Sequence, residues 1–179
     1  FSPDSQSLAY IARNRDGDLV VRDGKKSETF DAVTGELVFS TDGERLAYSV
    51  AERAGDKVRM QVVVDGEVGP VFEKVGAYLF SPDGEDYAYM AVKDGKGLIV
   101  HNGQKHEKYD SVGIPVFSPR TGHLAYAVFQ KGTWRVKKDG ETGPGFDSVN
   151  HPSFNADGTS MAYLARQGPL YEVVRDQEI

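Results

Sequence analysis

Apolar residues in this chain come in short runs such as LVV, MQVVV, LIV and YEVV, each broken within a few positions by Gly, Asp, Asn or charge. In LAYSV and LAYAV, large apolar side chains alternate with small or polar ones, the period of two that turns one face of a strand toward a core. The spacing of an amphipathic helix is absent throughout. The pattern predicts an all-β chain of short strands.

The runs are organised by a repeat. FSPDSQSLAY, FSTDGERLAY, FSPDGEDYAY, FSPRTGHLAY and FNADGTSMAY begin at Phe1, Phe39, Phe80, Phe117 and Phe154, with periods of 38, 41, 37 and 37 residues. A fixed period in this range marks a stacked repeat architecture. Nine residues after each Phe stands a tyrosine: Tyr10, Tyr48, Tyr89, Tyr126 and Tyr163. An Asp or Asn follows at Asp23, Asp65, Asn102, Asp139 and Asp176, and seven residues later come FDAV, FEKV, YDSV and FDSV in the first four units. Each unit parses into four strands. A first ends at Phe, the SPDG-type turn leads to a second carrying Ala-Tyr, a charged Gly-containing loop leads to a third, and the DG or NG hairpin leads to a fourth ending at the FDxV motif. DG and NG suit a two-residue hairpin whose central residues both need positive φ.

Four antiparallel strands per unit of this length is the blade of a β-propeller. The phrase FSPDGxxLAY and the third strand ending in Asp-Gly resemble the WD-like repeats of the TolB propeller family, over essentially the whole chain. Arg120-Thr121-Gly122, Ser5 and Gln177 depart from the repeat at single turns. The expected architecture is a single β-propeller domain over 1–179, with blades at about 1–33, 34–75, 76–112, 113–149 and 150–179, closed into a ring because an open arc would expose two apolar faces. Phe1 ends a first strand and Ile179 falls where a fourth should begin, so the terminal blades are expected to be incomplete and the chain to be a piece of a longer protein. A blade cannot cover its own apolar faces, so each Phe and each Ala-Tyr is expected against the neighbouring blade.

Composition narrows the function classes. The absence of cysteine excludes disulfides and thiolate chemistry. A formal net charge of −6 argues against a nucleic-acid surface, and no apolar stretch is long enough to span a membrane as a helix. GxSxG, HExxH, Walker and dinucleotide motifs are missing. His101, His106, His123 and His151 fall at unrelated repeat positions; His101 and His106 flank the NG turn without a third ligand.

Two sets of residues are candidates for partner binding. Asp31, Glu73, Asp110 and Asp147 share one repeat position, so a ring would gather them near one mouth, where they would attract a basic peptide or a cation such as calcium. The local alternative, which we favour, is that each caps a turn by accepting main-chain N–H bonds. The second set lies on the loops between second and third strands: Arg13, Arg53, Lys93, Lys131 and Arg166, with Trp134 beside one loop as a partly exposed anchor. The structural alternative is a series of solvated hairpin tips.

No catalytic residue, metal site or cofactor is assigned, calcium at the carboxylates being the one candidate. The expected function is a non-catalytic, monomeric scaffold for a protein, peptide or glycan partner. The resemblance implies a bacterial, extracytoplasmic setting. Its alternatives are the regulatory propeller of a prolyl-oligopeptidase-type serine hydrolase whose catalytic domain lies outside this chain, and a propeller enzyme or metal or glycan site at the central axis.

Overall fold

The computed structural model describes residues 1–178, and every regular element in it is a strand. The strands form five antiparallel sheets that follow the repeat. The first contains β1 (Ala9–Arg13), β2 (Asp18–Arg22) and β3 (Lys25–Lys26). The second is β4 (Ala32–Phe39), β5 (Leu46–Ala54), β6 (Lys57–Val64) and β7 (Glu67–Val68). The third is β8 (Lys74–Phe80), β9 (Tyr87–Lys93), β10 (Lys96–His101) and β11 (Gln104–Lys105). In the fourth, β12 (Ser111–Val112) and β13 (Val116–Phe117) both pair with β14 (Leu124–Gln130), followed by β15 (Thr133–Lys138) and β16 (Glu141–Thr142). In the fifth, β17 (Ser148–Val149) and β18 (Ser153–Phe154) pair with β19 (Met161–Gln167), which pairs with β20 (Leu170–Arg175).

The first strand of a unit is irregular in all four sheets that have one. In β4 and β8 the register shifts between Thr34 and Val38 and between Val75 and Tyr78. In the fourth and fifth sheets the strand is interrupted at Pro115 and Pro152, which have no N–H to give the ladder. The fourth strands are only two residues long, each followed by one isolated bridge at Phe30, Phe72, Tyr109 or Phe146. One expected boundary moves accordingly. Val33, Val75, Val112 and Val149 lie in the first strand of the next sheet, so FDxV straddles two units, the aromatic closing one and the acid opening the next.

The DG and NG turns have the expected backbone. Asp23, Asp65, Asn102, Asp139 and Asp176 have φ between 47° and 53°, and each following residue is also positive, including Gln177 at 71°. Ser5 likewise takes φ 61° where its counterparts Gly43 and Gly84 sit at 77° and 80°.

Apolar side chains gather between sheets. Four core clusters join first to second, second to third, third to fourth and fourth to fifth sheets. Tyr48, Tyr89, Tyr126 and Tyr163 are buried against the preceding sheet, and Ala47, Ala88 and Ala125 against the following one. Each joint also seats a cation or imidazole from one sheet over the phrase phenylalanine of the next. Arg22 lies 5.4 Å above the Phe39 ring, Arg45 5.2 Å above Phe80, and Lys138 5.9 Å above Phe154, while His101 stands 5.8 Å from Phe117. The guanidinium of Arg22 also donates to the Gly43 carbonyl at 3.0 Å, and that of Arg45 to the Gly84 carbonyl at 3.3 Å.

A closed ring, expected from the sequence, is not detected among the described residues. Five sheets closed in a circle would share five joints, and among the described residues four core clusters exist, none uniting the first and fifth sheets. Tyr10, counterpart of the buried tyrosines, is 49% exposed, and Val173 on the fifth sheet is 67% exposed. The sheets form an open arc whose two end faces carry the apolar residues that a joint would bury.

Candidate hairpin-face site

The four repeated acids open the first strands of the second to fifth sheets, and each reaches the hairpin between second and third strands of its own sheet. Asp31 Oδ2 accepts the Arg53 N–H at 2.7 Å. Glu73 accepts from Asp94 at 2.7 Å and from Gly95 at 3.2 Å. Asp110 Oδ2 accepts from Lys131 at 3.1 Å, and Asp147 Oδ2 from Gly168 at 2.7 Å. The acid sits 21 or 22 residues before the N–H it holds, so the turn it caps is not its own but the one that closes over it.

The structure therefore brings the two candidate sets together on one face, acid beneath hairpin. Those hairpins are two-residue turns, not open loops: Gly55-Asp56, Asp94-Gly95, Lys131-Gly132 and Gly168-Pro169. Lys131 takes φ 52° to complete its turn. Arg53, Lys93 and Arg166 stand near strand ends flanking the turns, Lys93 half-buried and the other two exposed. Among the described residues none of Arg53, Lys93, Lys131 and Arg166 is in an ion pair. Arg13 differs. Its guanidinium donates to both oxygens of the buried Asp18, at 2.6 and 3.1 Å, and holds that carboxyl below its ordinary pKa while Asp18 also accepts the Val33 N–H. Arg13 is thus a structural brace on the longer hairpin of the first sheet. Trp134 is half-buried and packs on Phe129, its cross-strand partner, with ring centroids 5.1 Å apart.

Lys96 donates to Asp110, and that ammonium, with the Lys131 N–H, holds the Asp110 carboxyl below its ordinary pKa, the opposite direction to mutual repulsion. Among the described residues no three His, Asp or Glu side chains gather in a group able to hold a metal ion. Beside Asp110 a cleft of about 280 Å3 opens at the joint of the third and fourth sheets, lined by Val75, Met90, Val92, Gly97 and Val112. Gly97 lets the fourth sheet approach, since a Cβ there would lie 3.1 Å from the Val112 main-chain nitrogen.

Sequence reasoning missed a polar cluster in the same joint, on the side of the short outer strand β11. Lys137 is buried at the position that the other sheets give to Val21, Val63, Val100 and Val174. Its ammonium donates to Tyr109 Oη at 3.0 Å and to Glu107 at 3.3 Å. Burial disfavours the charge, but those two partners prevail and raise the Lys137 pKa. Beside it His106 Nδ1 shares a hydrogen bond with Tyr126 Oη at 2.9 Å, and the two histidines expected across the NG turn do face each other, with ring centroids 6.0 Å apart. Burial, with His101 and Lys137 nearby, lowers the His106 pKa. The signal was available, since Tyr109 replaces the Phe of the other units and Lys137 a valine, but it needs the strand register to be read.

No family model and no curated protein matches the chain. Among solved structures it is similar to the β-propeller domain of the Trilobed protease from Pyrococcus furiosus, with 12% identity over 97% of this chain and 66% of that one at a TM-score of 0.55. It is also similar to an oligogalacturonate lyase in complex with manganese, with 14% identity over 99% and 62% at a TM-score of 0.54. TolB from Acinetobacter baumannii aligns with 16% identity over 94% and 49% at a TM-score of 0.49. The chain thus spans from about half to just under two thirds of the length of these proteins. No helix among the described residues is long and apolar enough to cross a membrane. The repeated phrase, the five antiparallel sheets, the joints between them and the likeness to the protease propeller and the lyase show a β-propeller fold.

Proposed function

We infer that the chain is a non-catalytic binding scaffold that presents its hairpin face to an acidic protein or peptide partner in an extracytoplasmic compartment. The observation that carries this reading is the clasp. Each repeated acid is engaged in fixing a hairpin, and the fixed hairpins carry Arg53, Lys93, Lys131 and Arg166 in or beside their turns, outside ion pairs among the described residues, on a chain whose net charge is otherwise negative. Rigid strands carrying variable charged tips are how recognition surfaces are mounted on repeat scaffolds, and cations outside ion pairs favour acidic partners by electrostatic complementarity. Screening arrayed acidic and neutral peptides against the chain, and against a variant with all four cations changed to Glu, tests it. Binding of acidic peptides that the variant loses supports the reading; equal binding by both proteins, or none by either, contradicts it.

A second reading is favoured by the likeness to the protease propeller: a regulatory domain of a serine hydrolase whose catalytic domain lies outside this chain. A GxSxG nucleophile motif encoded in the same gene would support it, and an uninterrupted run of further repeats would not.

A further inference from the structure

The four tyrosines buried in the joints differ in what their hydroxyls meet. In the first joint the Ser27 hydroxyl stands beside Tyr48 Oη, and in the third His106 Nδ1 shares a hydrogen bond with Tyr126 Oη at 2.9 Å. Ser27 and His106 each lie four residues after the turn residue of the preceding sheet, Asp23 or Asn102. That place is glycine in the other two joints, Gly69 in the second and Gly143 in the fourth. The fourth joint is completed from its other side. Gln177, which stands where the other turns have Gly24, Gly66, Gly103 and Gly140, lays its amide in the space that a side chain at Gly143 would take. Its Oε1 accepts from Tyr163 Oη at 3.3 Å and its Nε2 donates to the Val136 carbonyl at 3.2 Å. The second joint has glycine at both places. There Tyr89 is 1% exposed, and among the described residues its hydroxyl has no hydrogen-bond partner. A cavity of about 360 Å3 opens beside it, lined by Val62, Val64, Gly69, Pro70, Tyr87 and Gly103. The hydroxyl lies on the Gly69 side of that cavity, 3.4 Å from where a Cβ of residue 69 would stand.

We propose that the cavity between the second and third sheets is a binding site for a primary carboxamide, such as a glutamine side chain, held by the two hydrogen bonds that Gln177 makes in the fourth joint. The Val62 carbonyl is the counterpart of the Val136 carbonyl, since each accepts the N–H of its glycine, Gly69 or Gly143, at 2.9 Å. A carbonyl oxygen has a second lone pair, which at Val136 accepts from the Gln177 amide. Tyr89 O–H and the Val62 oxygen therefore offer one donor and one acceptor, and a carboxamide answers both. The buried hydroxyl gains the partner that its counterparts already have. The charges of the wall select a neutral group. Arg45 and Asp65 line the cavity as an ion pair at 2.8 Å, the guanidinium lying over the Phe80 and Tyr87 rings, and Glu67 stands exposed at the rim. A carboxylate would meet Asp65 and Glu67, and an ammonium would meet Arg45, whereas an amide carries neither charge. Val62, Val64 and Pro70 take the apolar stem. The volume is at the small end of the range of about 300–1,000 Å3 usual for ligand sites, so one side chain or a molecule of that size fills it. The site lies at the Asp65-Gly66 and Asn102-Gly103 turns, at the opposite ends of β6 and β10 from the hairpins that carry Arg53 and Lys93, and does not depend on them.

NMR titration of the whole chain tests it, with acetyl-glutamine methylamide as the probe and the glutamate and methionine analogues as controls. The main-chain signals of Gly69, Tyr89 and Gly103 should shift saturably with the probe, and the controls should bind at least about tenfold more weakly, because each leaves a polar group of the site unmatched. Tyr89→Phe should weaken binding by a similar factor without lowering the melting temperature, since that hydroxyl has no partner to lose, whereas Tyr163→Phe, which loses one, should melt lower. Gly103→Gln gives the second joint what the fourth has. Gly103 sits at φ 77° where Gln177 takes 71°, and a Cβ there would meet only Tyr87 Oη, at 3.4 Å. This variant should fill the cavity with its own amide and lose the probe; if it does not fold, Tyr89→Phe decides alone. Propionamide and a glutamine-centred pentapeptide separate the two sources: equal affinities assign the site to a small amide, and tighter binding of the peptide assigns it to a partner's side chain. Absence of saturable shifts, controls that bind as well as the probe, binding undiminished in Tyr89→Phe or in folded Gly103→Gln, or a Tyr89→Phe chain that melts as low as Tyr163→Phe would each overturn the proposal.

Discussion

Leu124 donates its main-chain N–H to Asp139 Oδ1 at 2.9 Å, and Asp139 returns its own N–H to the Leu124 carbonyl at 2.9 Å. The same reciprocal pair joins Leu8 to Asp23, Leu46 to Asp65, Tyr87 to Asn102 and Met161 to Asp176. The turn residue thus does two things, supplying positive φ and tying the start of the second strand to the end of the third. Asp139→Ala should destabilise the chain by about 1–3 kcal/mol in urea unfolding, because the Leu124 N–H loses its acceptor. Asp139→Asn should cost less, since Asn102 fills the same place in the third sheet.

Ala88 is fully buried at the joint of the third and fourth sheets, whereas Ala162, its counterpart on the fifth, faces the open end of the arc. Ala88→Leu should overpack its joint and cost about 1–3 kcal/mol. Ala162→Leu should leave the melting temperature of the monomer nearly unchanged. Equal losses at both positions would mean that the fifth sheet is covered.

Lys137 is the buried cation in a row of valines. Tyr109→Phe should destabilise the fold, leaving the ammonium with the exposed Glu107 alone. Replacing both partners, Lys137→Val with Tyr109→Phe, should restore stability to near the parent or above it, because an apolar joint of this shape already exists elsewhere in the chain. Thermal unfolding of the single and double variants decides.

His106 gives the same joint a pH dependence. Its folded pKa lies below the ordinary histidine value because of burial, His101 and Lys137, with Glu107 acting weakly in the other direction. The unfolded chain then binds the proton more readily, so stability should fall as pH drops below about 6.5, the unfolded value, and level off below the folded pKa. His106→Gln should flatten that part of the profile of melting temperature against pH. A slope unchanged by the substitution would show that another group titrates there.

Much of this architecture is legible in the sequence because it is local. The five Ala-Tyr phrases, the DG turns and the short apolar runs each specify a strand or a turn within a few residues, and the structure has them where they were read. What was not legible depends on groups distant along the chain. FDxV reads as a strand end because its aromatic bridges backward, while its acid acts on a hairpin 21 or 22 residues ahead. The covers of Arg22 over Phe39 and Arg45 over Phe80 need two sheets to be placed before the cation finds its ring. Ring closure is expected from the cost of exposing apolar faces, but nothing in a repeat fixes how far each sheet turns from the last, and Tyr10 is 49% exposed.

Each repeated acid holds one hairpin by main-chain hydrogen bonds, and we expect the four to act separately, without a shared cation. Amide hydrogen exchange on Asp31→Ala, Glu73→Ala, Asp110→Ala and Asp147→Ala, with and without calcium, tests it most directly. Each substitution should speed exchange only at its own hairpin, at Arg53, at Asp94 and Gly95, at Lys131 or at Gly168, with calcium changing nothing. Calcium protection of several hairpins at once, lost when any one acid is removed, would contradict the account and make the four carboxylates a single site.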